Sequence, residues 1–193
     1  MEADWDVEIG PDAPCIVVPW PGFVDLRYFR ASVDQILEAA CHPALADALA
    51  ALNTTTSPVF TAKCDIWQLQ NEEIDPDEFN ARPESARTGF ASYIDVLLRE
   101  QETFRSFQFH ERLVRHITTA LRTIELANCR VDLVLRAAIV DTAHGYGVAV
   151  YTAGCGAENA PAYSSWQAVL RATVNATMNM PDLSDARASS SIG

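Results

Sequence analysis

Gly154-Cys155-Gly156 is the one place in this chain where residue type and spacing suggest covalent chemistry. A thiol a few residues ahead of a helix can gain thiolate character from the helix N-terminus, and flanking glycines let a substrate approach. His144 or His110 would have to take the proton. Against this, no known nucleophile signature surrounds Cys155, and cysteine is commonly a small buried hydrophobe. A small cysteine-dependent enzyme using Cys155 and His144 is therefore the alternative reading, with paired glycines at a tight turn the plainer account of the motif.

A second pattern concerns charge. Asp95-Val96-Leu97-Leu98-Arg99 and Asp132-Leu133-Val134-Leu135-Arg136 both read Asp, two apolar residues, Leu, Arg. On a strand, residues four apart share a side, so antiparallel neighbours in register would set Asp against Arg. Asp65, Asp95 and Asp132 could converge for acid–base work or attract a divalent cation, but the nearby arginines would neutralise them. The four histidines form no HExxH, the five cysteines no CxxC, and no phosphate-binding glycine loop is present. No metal site and no cofactor are expected.

These residues need strands to hold them. Alternation over 59–69, 90–99, 129–140 and 146–154 predicts four strands, the last two joined by a turn around Ala143-His144-Gly145. Helical spacing predicts helices over about 25–40, 43–52, 104–126 and 161–178, and a short edge strand is expected at Cys15–Val18. The expected order, α-α-β-β-α-β-β-α, gives an α+β fold: a largely antiparallel sheet of four to five strands with amphipathic helices packed on it. Residues 1–13 read as a disordered acidic arm, 14–180 as one domain, and 181–193 as a loose tail. The acidic run at 72–78 reads as a solvated loop.

Each strand splits into two faces. Phe60, Ala62, Cys64 and Ile66, with Phe90, Ile94, Val96 and Leu98 and their counterparts at 131–139 and 146–150, make a core face. The opposite face carries Asp65, Trp67, Tyr93, Asp95, Arg99, Asp132, Arg136 and Tyr151 beside Leu69, Leu97 and Val134. Rings and arginines with matched acids are what contact surfaces use, so this face is expected to be covered by the chain's own helices, a second copy or a partner.

With 14 basic and 26 acidic side chains the formal charge is −12, and no clustered basic surface exists for a phosphate backbone, so nucleic acid is not an expected partner. No run approaches the ~20 apolar residues of a membrane helix, so no membrane partner is expected either. An odd cysteine count behind an acidic start points to reduced thiols in the cytoplasm. In element order and acidity the chain resembles the small acidic chaperones of type III secretion, with a longer loop at 70–86. That resemblance implies an α/β homodimer that binds an extended partner segment. The resulting expectation is a binding or assembly protein that self-associates, or takes a protein or peptide partner, through the mixed sheet face.

Overall fold

The computed structural model describes residues 1–180; the expected tail at 181–193 lies outside them. Among the described residues the chain is mixed α and β, with six strands in one mostly antiparallel sheet and five α-helices. The strands are β1 (Glu2–Glu8), β2 (Ile16–Val18), β3 (Val59–Leu69), β4 (Thr88–Leu98), β5 (Cys129–Val140) and β6 (Ala143–Gly156). The helices are α1 (Leu37–Cys41), α2 (Pro43–Leu52), α3 (Gln101–Phe104), α4 (Phe107–Arg122) and α5 (Asn159–Met178). Across the sheet the order is β1-β5-β6-β4-β3, with β2 also lying along β5; β1 and β2 run parallel to β5 and every other pairing is antiparallel.

The first residues are not a disordered arm. Ala3, Trp5 and Val7 alternate with Glu2, Asp4, Asp6 and Glu8, and pairing with β5 turns Ala3 into the core at 1% exposure. The acids then point away from the helices. Asp4 bonds the Arg122 guanidinium at 2.6 Å and Glu8 that of Arg136 at 2.7 Å, which makes an acidic edge strand tolerable.

Residues 25–40 do not form one helix. Arg27 holds the Asp25 carboxylate in a two-pronged bond at 2.9 and 2.7 Å, residues Arg30–Gln35 form a 3-10 turn, and only Leu37–Cys41 is α-helical. Of the expected apolar stripe Leu26 is buried, but Phe29 and Leu37 are exposed. A stripe without a surface to bury it supplies no packing energy to hold a helix.

The helix layer rests on one side of the sheet. Phe90, Ile94, Val96, Val131, Leu133, Val148 and Val150 face Leu113, Val114, Ile117 and Leu121 of α4 and Trp166, Val169 and Leu170 of α5. Trp166 is fully buried, and its indole Nε1 donates to Ser92 Oγ at 2.9 Å, which lies 2.9 Å from Thr152 Oγ1. Gly154 faces this layer from within β6: a Cβ there would stand 2.2 Å from the Trp166 backbone nitrogen. The glycine admits the helix and makes no turn. The β5–β6 turn is Asp141-Thr142, with Asp141 at φ 55°, so His144 and Gly145 lie within β6.

β3 changes face partway. Its register to β4 shifts between Thr61 and Cys64, so one extra residue is accommodated as a bulge. Thr61 and Cys64 both face the helices, whereas Phe60, opposite Leu97, faces the other side. Phe60 therefore belongs to the mixed face, contrary to its expected place beside Cys64 and Ile66.

Candidate functional site

On the side of the sheet away from the helices, register aligns side chains in rows across the strands. One row runs Asp65, Tyr93, Tyr151, Asp132 and Asp4 over β3, β4, β6, β5 and β1. The row on one side is Trp67, Ala91, Ala153, Arg130 and Glu2; on the other side Asp95, Ala149, Val134 and Asp6 follow one another from β4 to β1. Six of the eight residues expected on the mixed face stand in these rows, and Arg136 stands in the next, between Gly147 and Glu8. Arg99 does not: it lies just past β4 and donates to the backbone carbonyls of Val59, Asn53 and Thr54, tying the α2–β3 connection to the strand end.

Two segments of the chain fold over the ends of this face. At one end Ile16 and Leu97 meet over Gly147, where an added Cβ would stand 2.8 Å from Leu97 and 2.9 Å from Ile16. Arg27 stacks on Phe60 at 4.4 Å, and Trp20 Nε1 donates to the Ala62 carbonyl at 3.4 Å. At the other end the 70–87 loop does more than solvate acids. It plants Ile74, Phe79 and Ala86 on Leu69, Ala153 and Cys155 as a second small core, and Glu78 pairs with Arg130. Its acidic side chains remain largely exposed, and Asp75 accepts from the Asp77 amide at 3.0 Å.

The tyrosine row and Trp67 stay open, whereas Ala91, Asp95 and Ala149 beside them are buried. Trp67 is 38% exposed, Asp65 is exposed, and Tyr93, Tyr151, Asp132 and Val134 are half-buried. The tyrosine rings lie 5.8 Å apart. The bases along this face already have partners. Arg130 grips Asp132 at 2.7 and 3.0 Å. Arg136 holds Glu8 and lies 5.7 Å from the Tyr151 ring, while the Lys63 ammonium sits 5.5 Å from the Trp20 ring. The expected Asp–Arg pairing between the two repeated segments does not occur, because β6 separates β4 from β5.

Asp95 is left over. It is 5% exposed, and its Oδ1 has no hydrogen-bond partner among the described residues. Burial pushes its pKa up to about 6, against the pull of the Arg136 and Lys63 charges. Burial and the negative charges of Asp95 and Asp65 push the Tyr93 phenol up to about 12, so the ring is neutral.

Cys155 and His144 are not brought together. Eleven residues of β6 separate them, roughly 36 Å at ~3.3 Å per residue. His110 lies on the helix side, its Nδ1 2.9 Å from the Ser106 carbonyl and its ring beside Tyr146. Cys155 is fully buried in the loop core, and burial lifts its thiol to about 11, leaving little thiolate near neutral pH. Among the described residues no three His, Cys, Asp or Glu are placed to hold a metal ion, and no helix is long and apolar enough to cross a membrane.

No family model, curated protein or solved structure matches this chain.

Proposed function

We propose that this is a binding protein whose working surface is the open middle of the mixed sheet face. One observation carries the reading. The chain covers both ends of that face with its own segments, yet leaves Trp67, Tyr93 and Tyr151 uncovered or half-covered over a buried carboxylate. Burying rings of this size stabilises a contact by ~1.5–3 kcal/mol each, so a surface like this is worth covering. At ~4.8 Å between neighbouring strands the tyrosine row runs about 19 Å across the five strands, enough for roughly six residues of extended chain. A second copy of the chain and a segment of another protein are the two occupants this surface could take.

The test is a displayed library of random twelve-residue peptides, selected on the native protein and counter-screened on Trp67→Ala/Tyr151→Ala. Selected peptides should bind the native protein and lose at least tenfold on the variant, with the variant's circular dichroism unchanged. Peptides that bind both proteins equally overturn the proposal. So does a variant that no longer folds, because the rings would then be core.

A further inference from the structure

Resting on that reading, we infer that the occupant of the open face is a basic segment of a partner protein, with an arginine or lysine side chain seated over the Tyr93 and Tyr151 rings and donating to Asp95. Three independent features point to a cation. The first is the unpartnered, buried Asp95 carboxylate on the open side of the sheet. Leaving a buried acceptor without a donor is costly, and the cost is relieved by whatever brings one. The second is the adjoining row, in which the two tyrosine rings are flanked by Asp65 on β3 and Asp132 on β5. Ring faces carry negative charge density, and Asp65 beside Tyr93 reinforces it, Asp132 being already held by Arg130, an arrangement that attracts ammonium and guanidinium groups. The third is that none of the bases described on this face hydrogen-bonds Asp95. Arg130 lies on Asp132 and Glu78, Arg136 on Glu8 with its guanidinium 5.7 Å from the Tyr151 ring, and Lys63 against Trp20.

Charge also separates the two occupants. A second copy would bring another −12 and a matching row of acids to the contact, whereas a basic segment is attracted from a distance. Arginine suits the site in particular, since its plane can lie on a ring while its edge donates to a carboxylate.

The groups facing Asp95 fix how binding responds to pH. They are Tyr93 on its own strand, Lys63 and Asp65 on β3, Tyr151 on β6, and Arg136 on β5, with the Cys64 thiol on the other side of the sheet. Tyr93 and Cys64 are held neutral to high pH, so Asp95 is the group whose ionisation changes across mildly acid conditions. A cation prefers the ionised form, so affinity should rise with pH through about 6.

The experiment uses calorimetric titration of the full chain with the peptide acetyl-Gly-Ser-Arg-Val-Arg-Val-Arg-Ser-Gly-amide and its analogue carrying citrulline at each arginine. At pH 7.5 and ~0.15 M salt, where charges beyond about 8 Å are screened, the arginine peptide should bind at least tenfold tighter. Asp95→Asn should remove most of that advantage, and so should lowering the pH to 5 in the native protein but not in the variant. Asp65→Asn, at an exposed site, should weaken the arginine peptide by a smaller factor. Asp47→Asn/Glu111→Gln, which removes charge from α2 and α4 in the helix layer, should leave binding unchanged.

Equal binding of the two peptides, with both weakened by Trp67→Ala/Tyr151→Ala, overturns the cation and leaves the face reading intact. No binding by either peptide overturns the inference, and the library selection then decides the face reading on its own. Loss of binding in the helix-layer variant equal to that in Asp95→Asn marks general acidity rather than a site and overturns the inference. Free butylguanidinium displacing the peptide at equal concentration overturns the segment as the occupant.

Discussion

At Asp95 the local chemistry works against folding. Its pKa stands near 6 in the folded chain, against 3.8 for an unburied carboxyl, because burial penalises the charged form. Below pH 4 both folded and unfolded states hold the proton, so no penalty exists. Between 4 and 6 the unfolded chain has released its proton and the folded one has not, so stability falls as pH rises and levels off above 6. The full penalty is about 3 kcal/mol, from 1.36 kcal/mol per pKa unit. Asp95→Asn should therefore raise stability at pH 7.5 by on the order of 1–3 kcal/mol and change it little at pH 4, read from urea denaturation at the two pH values. A variant less stable at pH 7.5 than the native chain would mean that the carboxylate has a stabilising partner. That Asp95 and Tyr93 on β4, Tyr151 on β6 and Asp132 on β5 each lie opposite the apolar side of their own strand follows from two-residue alternation. That Asp95 lacks a partner does not, because alternation within a strand says nothing about which strand lies beside it. The two Asp-to-Arg segments look complementary in the sequence, yet β6 lies between them, and Arg136 turns instead to Glu8 from the first residues of the chain.

Among the elements, those with a strong internal period were readable: α2, α4, α5 and strands β3 to β6 lie close to where spacing puts them. The exceptions have physical causes. Glu2–Glu8 carries a clean alternation of Ala3, Trp5 and Val7, but its acids suggest solvent until Arg122 and Arg136 are seen to meet them. The β3 bulge reverses the face of Phe60, and no residue type in Thr61-Ala62-Lys63 announces it. Gly154-Cys155-Gly156 suggests a loop because glycine is rare within strands. Here the glycine is set by the distance between two elements. A Cβ on Gly154 would lie 2.2 Å from Trp166 N and 2.6 Å from Ser165 C, backbone atoms that move only if α5 moves. A Cβ on Gly147 would meet the tips of Leu97 and Ile16 at 2.8 and 2.9 Å, which can rotate. Gly154→Ala should thus cost about 3 kcal/mol of unfolding free energy and Gly147→Ala nearer 1, within the usual range for overpacking. Equal costs in paired denaturation curves would show that α5 is free to lift from the sheet.

For the molecule as a whole, charge decides what the open face can meet. The acids of β1 and of the 70–87 loop lie along two borders of the mixed face, so the excess negative charge surrounds the surface that carries the rings. Two such faces brought together repel at low ionic strength, and the repulsion fades as the screening length falls from about 30 Å at 0.01 M salt to about 8 Å at 0.15 M. Sedimentation equilibrium at these two salt concentrations should return the mass of one chain, 21.2 kDa, at the lower, and any association should grow with added salt. The homodimer expected from the sequence makes a different prediction if it uses this face: a dimer that persists at low salt and dissociates in Trp67→Ala/Tyr151→Ala. That result would seat a second copy where a basic segment is proposed, and the acids along the borders would then need counter-charges supplied across the dimer. A monomer at low salt that binds the arginine peptide more tightly as salt is lowered gives the opposite assignment. The two slopes differ in sign, so one salt series read on both mass and peptide affinity separates a self-assembling protein from a receptor for basic chains.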